Sequence, residues 1–557
     1  MQINKLLHTG IMIAALAAIA ACTSKDPIEG GGNIDPFTPG GGGGSQDGSV
    51  SGLDVSFDTN ALTETDIVPT DPNSDDYDDY VENTTWKNFY TITYSEGKAS
   101  VYSDNPDSAI TITTDGAHVT VNATKKAQYV LKGQASDGSF KIYSDSKFEV
   151  NLDGLSLTNP DGAAINSQSK KRFFLTCTAG TSNSLCDGET YTACGEEDQK
   201  GTLFSEGQII FSGEGTLSVT AKGKNAIASD QYIRIRKNTN IQVSAGGSNG
   251  IKADDITIDG GVQNISVTAA GGKGLKAENS VTVNGGRTII INTASVEYTS
   301  SSSQTGGGGW NRPGGGGSSS SSSMPKGIKA DTLITINGGD IRVQCNNGEG
   351  IESKITLDVN GGDIFSYCGD DAINTGGKIT VNGGRVYAFS TGNDAIDSNY
   401  GRSGAFTITG GLVVGLTTKG GVEEGIDCDN NSYIIIKGGY VFSAGGQQGG
   451  GGGPGGSSSS GSIGSASQGY ILTSGTFSAN RYYTLADGDS KNIYTFLLPA
   501  GISSSLSLIS APEMQKGSAY TVKSGTSAPT DAQSSFRGFY LGSSLVGSDN
   551  CLSFTAK

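Results

Sequence analysis

The stretch CGDDAINTGGKITVNGGRVYAFSTGNDAIDS, residues 368–398, says Asp-Ala-Ile twice, at Asp371-Ala372-Ile373 and Asp394-Ala395-Ile396. Each phrase ends on a second oxygen-bearing side chain, Asn374 or Asp397, and Asp370 sits beside the first. Related phrases place Glu349 and Glu352 around Gly350-Ile351, and Glu424 and Asp427 around Gly425-Ile426. If these phrases stack on one another as paired strands do, about 4.8 Å apart, their carboxylates are forced side by side. Neighbouring carboxylates disfavour each other's charged form, so something must compensate. Ca2+ suits the task, because it takes six to eight oxygen ligands without strict geometry. Asn346, Asn347, Asn374 and Asn393 offer further oxygens. A solvated acidic edge with shifted proton affinities is the alternative.

Earlier versions of the phrase carry lysine instead, at Lys252, Lys276 and Lys329. One edge therefore starts basic and ends acidic. Lysine and a bound cation can both engage anions, so such an edge suits a polysaccharide that carries carboxylates. A neutral glycan would want aromatic platforms, for which Tyr387 and Tyr400, with Tyr367 and Tyr440, are candidates; packing within the fold has an equal claim on them.

The elements that must position these residues follow from the repeat. The phrase starts at 226, 250 and 274, and again at 327, 350, 372 and 395, a period of 22 to 24 residues. Between its copies lies a second phrase, seen as ITIDGG (256–261), VTVNGG (281–286), ITINGG (334–339) and ITVNGG (379–384). A period in the twenties marks a solenoid. Each period holds two short alternating runs rich in β-branched residues, too short for helices, and the Gly pair after Asn or Asp supplies a tight bend. The leucine and asparagine ladder of a leucine-rich repeat is missing. The economical solution is an all-β fold, a single-stranded parallel β-helix over 151–489 with terminal β caps. Insertions at 177–203, 299–325 and 445–461 interrupt it, as a solenoid tolerates. Residues 81–150 supply entry strands or a cap, and 490–557 a second cap or small β module. Trp310 in the second insertion is either a contact residue or folds back on the coil.

Composition narrows the function. Gly numbers 86 without a three-residue period, which signals turn-rich β structure, not collagen. The net charge of -17 repels nucleic acid and anionic lipid. Only His8 and His118 could serve a histidine-ligated metal or a histidine triad, and His8 lies in a segment expected to be removed. No CxxC spacing supports zinc or redox chemistry. Cys177, Cys186 and Cys194 could form a local disulfide in an oxidising compartment, and Cys345 and Cys368 either a disulfide between coils or a buried ladder of small residues.

At the N-terminus, Lys5 precedes a short apolar run ending Ile19-Ala20-Ala21-Cys22, which reads as a signal peptide over 1–21. That ending resembles the lipobox of bacterial lipoproteins, which makes Cys22 the lipidation site of an outer-membrane or cell-surface protein held to the membrane by its lipid anchor. An ordinary signal peptide with an incidental Cys22 is the other reading. Residues 22–80, Gly-rich and then acidic through DPNSDDYDDY, read as a flexible linker.

The phrases GIKAD, DAINTGGKITVNGG, NDAIDSNYG and EEGIDCDNNSYIIIKGG, with the closing YTFLLPAG, resemble the β-helical carbohydrate-binding domain family of clostridial cellulose degraders and gut Bacteroidetes lipoproteins. The resemblance covers about 150–525. It implies a right-handed parallel β-helix like that of polysaccharide lyases, calcium at the acidic corners, and binding of plant cell-wall polymers such as polygalacturonate or cellulose. The family's acidic corner carries over onto Asp370, Asp371, Asp394, Asp397, Glu424 and Asp427. Non-catalytic, calcium-assisted binding of such polysaccharide, alongside neighbouring surface glycan-handling proteins, is the first expectation. A calcium-dependent lyase of the pectate lyase type is the second, with Lys378, Arg385 and Arg402 as nearby bases. A structural or adhesive surface protein is the third.

Overall fold

A computed structural model of the 557-residue chain describes residues 67–299, 321–400, 403–428, 433–446, 463–475, 477–502, 505–544, 546–547 and 549–557, all within one compact unit spanning 36–557. The expected signal peptide, Cys22, the linker to residue 66, Trp310, Arg402 and most of the insertions 299–325 and 445–461 lie outside the described residues.

The body is a parallel β-helix. Its coils carry three short strands where the sequence suggested two. The corner phrase itself forms the third, as in Glu349–Ser353, Thr356–Val359 and Asp363–Cys368, followed one coil later by Ile373–Thr375, Lys378–Val381 and Arg385–Ser390. Each strand pairs in parallel with its counterpart, Ile351 opposite Ile373 and Ile373 opposite Ile396. Upstream the same column runs Ile227, Ile251, Leu275, Ile328 and Ile351, all fully buried. Burying each such side chain stabilises the coil by roughly 1.5–3 kcal/mol.

The Asn-Gly-Gly bends have two separate reasons. Gly384 holds φ +76°, and a Cβ there would lie 2.5 Å from the Gly362 carbonyl oxygen of the preceding coil, so a side chain is excluded twice over. The asparagines form an amide ladder: Asn337 donates to Asn284, Asn360 to Asn337 and Asn382 to Asn360, each at 2.8 Å.

Within 81–150, Phe89–Ser95 and Gln128–Ala135 stack in parallel and lead onto Phe148–Asn159, so these residues are entry coils. The insertion expected at 177–203 also contains coil strands: Ser182–Asp187 pairs with the strands before and after it, and Gly201–Ser205 does the same. The local disulfide does not form, and the cysteines among the described residues are free thiols. Cys345 and Cys368 are paired in register and fully buried, which is the ladder alternative.

The C-terminal sheet is antiparallel and begins at Arg481–Asp487, not at 490. Leu506–Ser510 leaves that sheet to pair with Tyr440–Gly445 and Tyr470–Thr473, covering the last coil where open strand edges would invite association. The rest of the sheet lies on the aromatic face of the coils, with Phe496 3.9 Å from Phe442 and the Arg537 guanidinium 3.6 Å from the Phe365 ring.

The acidic tract was expected to be hydrated linker, but its end is bound to the coils. Tyr80 is fully buried, with the guanidinium groups of Arg236 (4.2 Å) and Arg234 (5.0 Å) over its ring. Asp79 pairs with Arg172 at 2.8 Å and Arg234 at 3.3 Å, and Glu82 with Arg236 at 2.7 Å. The arginines that hold this strap project from coils far along the chain, so local composition did not reveal them. Tyr80→Ala removes the buried ring and its cation–π contacts, at a cost of about 3 kcal/mol locally. Hydrogen exchange is expected to show residues 76–84 losing protection while coil strands keep theirs; unchanged protection would contradict the strap.

Candidate functional site: a charged corner of the coil

In-register stacking lines up two columns of side chains along one corner. The outer column runs Ala228, Lys252, Lys276, Lys329, Glu352, Asn374, Asp397 and Asp427, each the register partner of the next. The inner column lies three residues earlier: Asn225, Asn249, Lys273, Lys326, Glu349, Asp371, Asp394 and Glu424. Backbone hydrogen bonds from Ala226 to Asn249, Gly250 to Lys273, Gly350 to Asp371 and Ala395 to Glu424 fix that alignment, as does the pairing of Lys273, Lys326 and Glu349. Both columns change from amide or small residues to lysine and then to carboxylate.

The two charge types meet at Lys326. Its ammonium lies 2.6 Å from Glu349 and 3.0 Å from Glu352, so one lysine of the protein already bridges these two expected cation ligands. Upstream, Lys252 and Lys276 share Glu278, each at 3.0 Å, and Lys329 pairs with Asp331 at 2.9 Å. Downstream the compensation changes. Asp371 is 4% exposed and accepts hydrogen bonds from Asn374 Nδ2 (2.9 Å) and the Asp394 amide (3.2 Å). Asp394 is 8% exposed and accepts the Glu424 amide. Neither makes an ion pair with Lys or Arg among the described residues. Burial first, then the charges of Asp397, Asp370, Asp394 and Glu349, push Asp371 up to about 9. Burial, opposed by the Glu424 amide and reinforced by Asp427, Asp397 and Glu423, pushes Asp394 up to about 8. At neutral pH these acids hold their protons.

The other expected carboxylates border this pair. Asp370 accepts Asn393 Nδ2 at 3.0 Å, Asp397 accepts Asn399 Nδ2 at 2.6 Å, and the Asp427 carboxylate caps the Cys428 amide at 2.7 Å. Glu424 is 2% exposed. This all-oxygen donor set has the chemistry a hard cation needs. Among the described residues no group of three or more His, Cys, Asp or Glu side chains is already gathered as a metal site, so a cation would have to draw the ladder together.

The aromatic candidates fare differently. Tyr387 is 3% exposed beneath the C-terminal sheet and packs at a tilt against Phe365, ring centres 5.6 Å apart, so it is packing and not a ligand platform. Its sequence context is strand-like and alternating, which cannot reveal a sheet that arrives from 150 residues later. Tyr400 is half-buried with the Lys378 ammonium 5.1 Å from its ring, which occupies both residues. Arg385 is bound to Asp363 and lies over Phe536, so it is not poised as a base. Lys273 and Lys326 were missed, although the repeated Lys-Gly before Leu275 and Ile328 places them one step ahead of the recognised phrase.

A family model described as carbohydrate-binding domain-containing protein matches residues 115–372 and 315–395, together half of the chain. A carbohydrate-binding domain-containing protein of Acetivibrio thermocellus is 30% identical over 151 residues, which are 26% of this chain and 52% of that protein. The chain thus spans about half the length of the curated relative it matches. The solved structure of a polysaccharide lyase-like protein from C. thermocellum, a gadolinium derivative, aligns with a TM-score of 0.30 at 20% identity, covering 53% of this chain and 93% of that one.

The raised carboxyls have a signed consequence. Asp371 and Asp394 keep protons in the folded chain that the unfolded chain releases near pH 4, so their contribution to stability is lost as pH rises toward about 8 and 9. In EGTA the melting temperature is expected to fall between pH 5 and pH 8, and Asp371→Asn to flatten that slope. A melting temperature that rises in that window, with no change of slope in Asp371→Asn, would contradict protonated carboxyls.

Proposed function

The chain belongs to the family of carbohydrate-binding domain-containing proteins, and on that premise we propose that it binds acidic polysaccharide at a bacterial cell surface without cleaving it. The observation that carries this reading is the sign change along one corner: lysines on the upstream coils, and on the downstream ones the buried acids Asp371 and Asp394, which pair with no lysine or arginine among the described residues. Lysines attract the carboxylates of a polyuronate such as polygalacturonate directly. Asp371, Asp394, Asp397, Glu424 and Asp427 would hold Ca2+, which supplies positive charge where the protein itself offers acid. Each carboxyl would release its proton to solvent on taking the cation, so metal and ligand binding would strengthen as pH rises.

Lys252, Lys276 and Lys329 would engage the polymer through charge, with ionic-strength dependence as their signature. A lipid on Cys22 would place the body at the outer membrane or cell surface, beside other glycan-handling proteins, as in the lipoproteins of gut Bacteroidetes that the phrases resemble.

The test is titration of the full chain with polygalacturonate and with a neutral glucan, in calcium and in excess EGTA, while ultraviolet absorbance reports unsaturated product. Saturable binding to polygalacturonate, weakened about tenfold or more by Asp371→Asn together with Asp394→Asn, is expected without an absorbance rise. Product formation would replace the binding module by a lyase. Equal affinity for the glucan would remove charge as the basis of recognition.

A further inference from the structure

The basic half of the corner contains an amine, Lys273, that makes no ion pair among the described residues. Lys273 Nζ donates to the Gly271 carbonyl at 2.5 Å and to Ser323 Oγ at 2.7 Å, and among the described residues it makes no ion pair. Its neighbours differ in this respect. Lys252 and Lys276 hold Glu278, Lys326 holds Glu349 and Glu352, and Lys329 holds Asp331. Register makes the arrangement compact: Lys273 lies opposite Lys326, and Lys276 opposite Lys329, so two coils about 4.8 Å apart present a two-by-two grid of ammonium groups. The hydroxyl of Ser323 reaches the grid because Glu297–Thr299 and Ser321–Ser323 pair as a hairpin at that corner.

The charges facing Lys273 are Lys276, Lys326 and Lys329, with Glu297 as the opposing one. Burial first, then these three ammonium groups, bring it down to about 8 against the opposing pull of Glu297, so positive charge is crowded at this amine. An arriving anion relieves that repulsion, and a carboxylate has two oxygens to share between adjacent amines.

We infer that Lys273, with Lys276, Lys329 and the Ser323 hydroxyl, forms a carboxylate subsite that takes one uronate of an acidic polysaccharide without any metal. The inference rests on the acidic-polysaccharide reading above and adds a second point of attachment to it. Lys273 and Asp371 are three coil steps apart in one column, roughly 14 Å. A single polymer chain running along the corner is then held by amines at one end and through a cation at the other. The two ends answer to pH in opposite directions. Anion binding favours the protonated amine, so affinity at the lysine subsite falls as pH rises through about 8. Cation binding at the acid ladder improves over the same range.

The experiment is calorimetry of the full chain with a short oligogalacturonate, in EGTA and in calcium, at pH 7 and pH 9.5. Lys273→Met, Lys273→Arg and Asp371→Asn are compared with the natural chain. In EGTA, oligogalacturonate is expected to bind about tenfold more weakly at pH 9.5 than at pH 7, and Lys273→Met to weaken it about tenfold at pH 7. Lys273→Arg, which keeps its charge, is expected to retain binding at pH 9.5. In parallel, mass spectrometry after brief acetylation at pH 8 is expected to show Lys273 protected by oligogalacturonate and not by a neutral glucan oligomer. Binding in EGTA that is unchanged in Lys273→Met, or Lys273 acetylated equally with and without oligogalacturonate, overturns the subsite. Binding seen only in calcium and abolished only by Asp371→Asn overturns the subsite while leaving the broader reading intact. Absence of binding in every arm overturns both.

Discussion

Every coil of this protein must satisfy its backbone hydrogen bonds on the next coil, in register, about 4.8 Å away. That requirement turns any residue type repeated once per period into a column. Where the repeated residue is isoleucine the column is a core, as from Ile227 through Ile396. Where it is asparagine the side-chain amides bond to each other along the axis, from Asn284 to Asn382. Where it is charged, the same register brings like charges together, and the fold has to dispose of the repulsion it creates.

The charged corner disposes of it in three ways. Counterions from the same face serve the upstream lysines, with Glu278 shared between Lys252 and Lys276. At the change of sign, Lys326 bridges Glu349 and Glu352. Beyond it, where buried Asp371 follows Glu349 and Asp394 follows Asp371, protons replace counterions. The column thus holds buried acids that keep their protons at one end and, three coil steps away, Lys273 among other lysines at the other. The unequal treatment of chemically similar residues along one column is therefore the basis of the functional reading, more than the number of acidic groups.

Much of this was legible because the period is short and the repeated residue is distinctive. The columns from Lys252 to Asp427, the isoleucine core and the glycine bends all follow from counting residues between phrases. Long-range contacts were not legible. Tyr80 meets Arg234 and Arg236 across some 155 residues, and nothing in DPNSDDYDDY distinguishes a solvated tract from a strap that has found its arginines. Tyr387 looked available because alternation along a strand shows which side chains point outward, without showing that a separate sheet covers them. Glu349 and Glu352 looked like their downstream counterparts until Lys326, just ahead of the recognised phrase, was placed between them. The third strand was hidden because the corner phrase is short and carries Gly, a residue usually read as a break.

If protons hold the acid ladder neutral, a cation that binds it must displace them. Calorimetric titration of calcium into the metal-free full chain at pH 7, repeated in two buffers of different ionisation enthalpy, counts those protons directly. Calcium binding is expected to release about two protons, from Asp371 and Asp394, and about one in Asp371→Asn. Calcium binding without proton release, or no binding at millimolar calcium, would contradict that expectation.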